Sequence, residues 1–256
     1  MNIAPPIVLY VGPSMINGVE IVALATIDSG NVKTGKLIQT WILPVIGPLE
    51  ASATKTDDSV CGLCPRRRSM GGDCYARLDT APHMAWSKWI RFGSPMVNWD
   101  ERTLELQAYA KDYGLRLGAY GDPAAVPAHV WFDLISAIQP SKITGYSHQW
   151  RSEYAKDLRS IVMASCDNVA DAIEANKMGW RYFAALSDLN DVKDLPGSSV
   201  ECLANSKNIQ CKDCGICNGA RAGRDIQPAS VWIAEHGPMS LRKAKIKRSA
   251  SLAVLA

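Results

Sequence analysis

The sequence predicts an α/β fold: a partial or distorted (β/α) barrel of mainly parallel strands, led by a β-rich N-terminal segment and carrying cysteine-rich metal-binding loops. Three observations point there. From residue 115 onward, short apolar runs alternate with helical segments, the pattern of parallel strands joined by crossover helices. Successive strand candidates end in polar, chemically capable side chains, as at the working rim of parallel α/β folds. Seven of the eight cysteines fall into two tight sets.

Residues 1–50 read as β structure. Segments 7–11, 19–27 and 37–43 are apolar or alternating runs separated by Gly and Pro turns. Asp28-Ser29-Gly30-Asn31 suits a hairpin turn. Residues 30–36 match a phosphate-binding loop up to its last position, where Leu37 stands in place of Ser or Thr. Leu37 has no oxygen for magnesium, and the following residues read as strand where that loop must open a helix. The match is rejected.

Residues 51–81 form the first cysteine-rich loop. Helices are expected over 82–92 and 99–113, the latter closed by Gly114. Strands are then expected at 115–120, 142–146, 160–165, 181–186, 199–203 and 231–234. Helices at 128–138, 149–158 and 168–178 lie between the first four of them. The last helix takes Asp167 as its cap and ends at Gly179. Residues 82–237 are read as the core of one domain spanning 1–256, and 238–256 as a basic tail.

The second cysteine set reads Cys202-x8-Cys211-x2-Cys214-x2-Cys217. Two-residue spacing lets one loop curl around a cubic cluster and offer thiolates to different irons, the logic of ferredoxin loops. A single zinc usually draws cysteines from two separate knuckles, so it is the poorer fit. The first set, Cys61-x2-Cys64-Pro65 with Cys74, supplies three soft ligands. They make a second metal site, iron–sulfur or zinc, if a fourth donor such as His83 or water completes it. Alternatively they serve one shared centre.

Strand-end residues supply the rest of the candidate site. Asp122, Tyr146, His148 and His236 each follow or close a strand candidate, as do Ser165, Cys166, Asp167 and Asp188. Cys202 also ends a strand candidate, which predicts its cluster at the same mouth. Duller roles compete: Asp167 and Asp188 as caps, Cys166 as a buried small hydrophobe, the histidines as hydrogen-bonded structural groups.

The chain has 256 residues and a 47% hydrophobic composition, enough for a core without disulfide staples. No run reaches the length of a membrane span, and the N-terminus lacks the basic start of a secretory signal. A soluble protein of a reducing compartment, with thiols that bind metal, is expected. The net charge of +3 does not by itself argue for nucleic acid. Arg66, Arg67 and Arg68 are read first as a loop beside negatively charged cluster thiolates, and the run Arg242, Lys243, Lys245, Lys247 and Arg248 first as a solvated helix face; phosphate contact is the second reading of both.

The chain resembles a family of bacteriophage-encoded iron–sulfur proteins found notably in marine phages. The resemblance rests on Cys61-x2-Cys64-Pro65, Cys74-Tyr75, Gly121-Asp122, the run from Gly145 to Trp150, Ser165-x-Asp167, the Cys202–Cys217 set and His236-Gly237. It implies an iron–sulfur cluster and a viral origin, hence action in a host cytoplasm.

Two functions are expected. The first is a redox enzyme with a [4Fe-4S] cluster at the mouth, acting on a thiol or other small sulfur compound at an iron that lacks a cysteine. Asp122, Tyr146, His148 and His236 would position or deprotonate that ligand, and an electron donor is implied. The alternative is a module stabilised by iron–sulfur or zinc that contacts host protein or nucleic acid through its basic runs.

Overall fold

Alternation of side chains between two faces organises the whole molecule. The structure is a computed structural model that describes residues 5–27, 30–97, 99–220 and 227–235. The strands β1 (Ile7–Pro13), β2 (Glu20–Thr26) and β3 (Ile38–Pro44) form an antiparallel meander. β2 lies between two neighbours, and Ile21 through Ala25 are all buried. That is why its sequence is a continuous apolar run with no polar face.

From β3 onward the sheet is parallel. β4 (Leu115–Tyr120), β5 (Ile143–Ser147), β6 (Met163–Cys166) and β7 (Tyr182–Leu186) follow in sequence order. β9 (Ser230–Ala234) then inserts between β7 and β8 (Ser199–Glu201), giving the order β1-β2-β3-β4-β5-β6-β7-β9-β8. Among the described residues β1 and β8 are the two edges of this ladder, so the strand pairing there gives a nine-stranded, mostly parallel sheet and shows no closure into a barrel.

The chain between strands supplies eight α-helical segments among the described residues. Four short ones, α1 (Pro48–Thr54), α2 (Asp58–Cys61), α7 (Leu203–Ser206) and α8 (Cys211–Cys214), belong to the cysteine-bearing segments or lead into them. Four longer ones are α3 (Ala81–Phe92), α4 (Trp99–Tyr113), α5 (Ala128–Ile138) and α6 (Val169–Lys177). None is long and apolar enough to cross a membrane.

Register decides which residues share a face. Gln39, Arg116 and Thr144 stand side by side on β3, β4 and β5, and their neighbours Ile38, Leu115 and Ile143 point the other way. Leu115, Leu117, Ala164, Tyr182 and Ala184 join Leu106, Ala110, Leu134, Ile138, Ala172 and Ala175 of α4, α5 and α6 in the main core. The opposite face carries a smaller cluster of Met163 and Val231, packed with Tyr146, Phe183, Val200, Ile216, Cys202 and Cys217. Helices therefore cover one face, and cysteine-bearing chain covers the other.

Two local expectations are corrected. Residues 149–158 were expected as a helix, but a 3-10 helix forms at Glu153–Ser160. The backbone N–H groups of His148 and Gln149 donate to the side chains of Asp122 and Ser147, which holds this stretch outside a helix. The cap of α6 is Asn168, whose side chain accepts from the Asp171 N–H at 2.8 Å, and not Asp167. Asp167 is thereby released for the site described below.

Trp131 links the core to that site. It is 0% exposed, and its indole N–H donates to the Pro123 carbonyl at 2.8 Å, in the turn that follows β4. Trp131→Ala is expected to cost about 3–5 kcal/mol, from lost burial, a cavity and an unpaired carbonyl. Denaturant unfolding measures it; a loss below ~1 kcal/mol would show that α5 does not anchor this turn.

Candidate metal sites at the two ends of one sheet face

The first cysteine set lies at the carboxyl ends of the parallel strands. Asp122 follows β4, His148 follows β5, Asp167 follows β6 and Glu235 follows β9, so all four stand on one rim. The loop of Cys61, Cys64 and Cys74 is fastened to this rim. Asp122 N–H donates to the Val60 carbonyl at 2.6 Å, and the Gln149 side-chain amide donates to the Cys61 carbonyl at 3.1 Å. Gly62 has φ +53, and a Cβ there would stand 2.5 Å from the Gln149 amide, so only glycine permits this approach.

Arginines brace the loop. Arg66 reaches Asp73 at 3.3 Å, Asp167 at 2.5 Å and Glu235 at 2.8 Å. Arg67 pairs with Asp57 at 2.6 Å and donates to the Gly62 carbonyl at 3.0 Å, while Arg68 donates to the Cys74 carbonyl at 3.1 Å. Arg66 and Arg67 are thus spent on the protein's own carboxylates, while Arg68 gives a hydrogen bond to a backbone carbonyl and keeps a buried Nε without a partner. For Arg66 and Arg67 this favours bracing the cysteine loop over contacting phosphates.

His148 is the group that meets the thiols. Its Nε2 lies 3.8 Å from Cys64 Sγ and 3.2 Å from Asp167 Oδ2. Burial works against an imidazolium here, but hydrogen bonding to Asp167 and Cys64 outweighs it and pushes the pKa up to about 10. Burial also raises the Asp167 carboxyl, yet His148 and Arg66 together hold it below its ordinary range. Asp122 sits deeper. It accepts from Ser147 Oγ at 2.7 Å, His148 N–H at 2.7 Å and Ala124 N–H at 2.9 Å, so it positions His148.

The second cysteine set runs across the opposite end. Cys211 N–H donates to the Lys33 carbonyl and Lys212 N–H to the Thr34 carbonyl, both at 3.1 Å and both just ahead of β3. Lys142, ahead of β5, donates to the Lys212 carbonyl at 2.6 Å. Ala220 N–H donates at 2.7 Å to the Arg159 carbonyl, ahead of β6. The buried Arg181, ahead of β7, donates to the carbonyls of Ile216 at 3.0 Å and Asn218 at 2.6 Å. The expectation that Cys202 brings this set to the strand-end mouth is thus corrected. β8 is only three residues long, so its end lies partway down the face, and the chain then crosses to the amino ends.

Within that set the thiols feel one another. Burial raises Cys217 to about 12; Tyr146 opposes this, and the charges of Cys202, Cys211 and Cys214 add to it. Burial likewise raises Cys211, with Arg116 opposing. At the rim, burial holds the Cys61 thiol far above its usual value, helped by the charges of Cys64, Cys74, Asp57 and Asp122.

The donor set can be tested against a metal. Among the described residues, no three His, Cys, Asp or Glu side chains close to the spacing of one metal ion. Both sets are looser than a mononuclear zinc site, whose ligands crowd one ion at about 2.0–2.3 Å. A cubic cluster puts each thiolate on a different iron and spaces the sulfurs more widely. Two buried hydroxyls lie alongside. The Tyr120 hydroxyl, in a residue 4% exposed, meets the Cys61 thiol, and the Thr144 hydroxyl, in a residue 5% exposed, meets the Tyr146 phenol. Soft thiolates grouped three and four to a set are the donors that an iron–sulfur cluster takes.

Other candidates fall elsewhere. Tyr146 lies with Cys217 and Cys211, away from His148. His83 meets Ser87 through Nε2 at 3.3 Å and lies against the Trp86 ring, and its buried Nδ1 has no partner. Cys166 is buried in the helix-covered core, and Asp188 caps the 3-10 helix Leu189–Asp194. His236 and the C-terminal basic run lie outside the described residues. Sequence reasoning missed Arg66 as a clasp and Arg116 as a buried cation. A charge inside the apolar strand Leu115–Tyr120 was the available signal for Arg116. Comparisons with family models, characterised proteins and solved structures return no match for this chain.

The His148 pair yields a pH prediction for the metal-free protein. Its folded pKa of about 10 lies above the unfolded value of about 6.5. The stabilisation is therefore complete below about pH 6.5 and is lost as pH rises through about 10. Asp167→Asn should flatten that alkaline decline. Unfolding midpoints at several pH values check it, and identical slopes in both proteins would refute it.

Proposed function

We propose that this chain is an iron–sulfur protein that works as a redox enzyme on a small thiol or other sulfur compound, at the three-cysteine rim. The observation that carries the reading is the meeting of Cys64 Sγ with His148 Nε2 at 3.8 Å, beside Cys61 and Cys74. When bound, a [4Fe-4S] cluster supplies electron exchange, and an iron without a cysteine offers a soft site to a thiol or sulfide. Three cysteines at the rim suit such an open centre. Four cysteines at the other end suit a closed one.

The chain's own residues do the rest. His148, protonated between Cys64 and Asp167, offers a proton or a hydrogen bond to a sulfur arriving at the rim. Asp167 orients the imidazole, and Arg66 holds Asp167. Asp122 anchors the His148 backbone. The resemblance to phage iron–sulfur proteins adds a viral origin and action in a host cytoplasm to the reading. The alternative, a metal-stabilised binding module, loses Arg66 and Arg67 as contacts and keeps Arg68 and the C-terminal basic run.

Iron and acid-labile sulfide, assayed on anaerobically prepared protein, provide the test. Wild type is expected to be brown, and Cys64→Ala and Cys211→Ala are each expected to lose part of the iron, not all of it. Adding a small thiol should change the electron paramagnetic spectrum of reduced wild type and leave that of Cys64→Ala unmoved. A colourless, iron-free wild type, or a spectrum indifferent to thiol, would overturn the proposal.

A further inference from the structure

We infer that Arg116 is the built-in counter-charge of the centre held by Cys211 and that it sets that centre's reduction potential; this rests on the iron–sulfur reading above. β4 turns Leu115 and Leu117 to the helix-covered core and Arg116 to the cysteine-covered face. The residue is 7% exposed. Its Nη2 donates to the Tyr75 hydroxyl at 2.7 Å, and its Nη1 to Gln39 Oε1 at 3.5 Å. Both acceptors are neutral.

No carboxylate pairs with Arg116 among the described residues. Arg66, Arg67 and Arg151 each have one or more. A buried cation left without an anion is costly, and proteins rarely tolerate it. The neighbours able to carry negative charge are Tyr75, Tyr146 and Cys211. As free side chains all three are neutral at pH 7. Cys211 alone becomes fully anionic through metal ligation, because a cysteine binds metal as thiolate. Geometry ties the guanidinium to that end: its partner Gln39 donates to Thr34 Oγ1 at 3.2 Å, and the Thr34 carbonyl accepts from the N–H of Lys212, next to Cys211, at 3.1 Å.

The consequence is electrostatic. A fixed positive charge favours the state of a neighbouring centre that carries one more electron, so it raises the reduction potential. Charge near the sulfurs is one of the levers that spread such potentials. Tyr75 follows Cys74 directly, so the same guanidinium is also tethered to the loop of the rim set.

The test uses the full chain with Arg116→Gln, Arg116→Lys and Tyr75→Phe. Redox titration followed by electron paramagnetic resonance should show a more negative potential for Arg116→Gln than for wild type. Arg116→Lys and Tyr75→Phe, which keep the charge, should stay near wild type. In denaturant unfolding of the metal-free proteins, Arg116→Gln should be at least as stable as wild type, since it removes an unpaired buried charge. An unchanged potential in Arg116→Gln, or a metal-free Arg116→Gln clearly less stable than wild type, would overturn the inference, the latter by showing a plain structural strut. If no variant takes up iron, the iron–sulfur reading fails on its own, and metal-free unfolding still decides whether Arg116 is an unpaired cation.

Discussion

One buried carboxylate holds the rim together. Asp122 stands at the end of β4, accepts from the hydroxyl and backbone that end β5, and shares its own N–H with the loop that delivers Cys61. Burial raises its pKa, and the three donors pull back against that rise. Such a group is stable only while every donor stays in place. Two strand ends and one cysteine loop are thus locked by a single residue, the strand ends through its carboxylate and the loop through its N–H. Without that lock, neither His148 nor Cys64 would have a fixed position, and their meeting would be accidental.

The constraint behind this lock is the two-residue period of the strands. One set of side chains faces helices and builds an ordinary apolar core. The other set faces chain that is poor in apolar residues, and its core is small. Hydrogen bonds from lysine and arginine to backbone carbonyls hold that second layer down. Gly215, with φ +66, closes α8 between Cys214 and Cys217, where its Cβ would stand 2.8 Å from the Lys142 side chain. On the reading proposed above, metal–thiolate bonds supply the cohesion that apolar burial does not.

Much of the layering was legible in the sequence. The bounds of β4 and α5 coincide with the expected segments, because apolar spacing and turn residues mark both ends. The single nine-stranded sheet, the insertion of β9 before β8, and the path of the second cysteine set were not legible. Spacing between ligands is a local property. Which end of a sheet a long loop crosses depends on contacts such as Cys211 with Lys33, far apart in sequence. Asp167 was misread for a related reason: Asn168 was an equally good cap, and only the fold shows Arg66 and His148 waiting for the carboxylate. Arg66 and Arg67 look like part of a surface patch in a row of letters, yet their acidic partners Asp57, Asp167 and Glu235 arrive from other elements.

The two cysteine sets sit in electrostatic surroundings that differ in kind. At the rim, two carboxylates, a guanidinium and an imidazole form a chain from Glu235 through Arg66, Asp167 and His148 to Cys64. The imidazole at its end holds a proton at a defined atom. At the other end, Cys217 and Cys211 look onto a phenol, a buried threonine hydroxyl and an arginine that pairs with no carboxylate among the described residues. A guanidinium stays protonated and burial raises the Tyr146 phenol well above its usual value, so neither gives up a proton near pH 7 and that end can hold charge but cannot relay protons. On the reading proposed above, a redox reaction on a sulfur compound draws on both, a held proton at the rim and a fixed charge at the other end, and the Arg116–Tyr75 hydrogen bond tethers the second to the loop of the first.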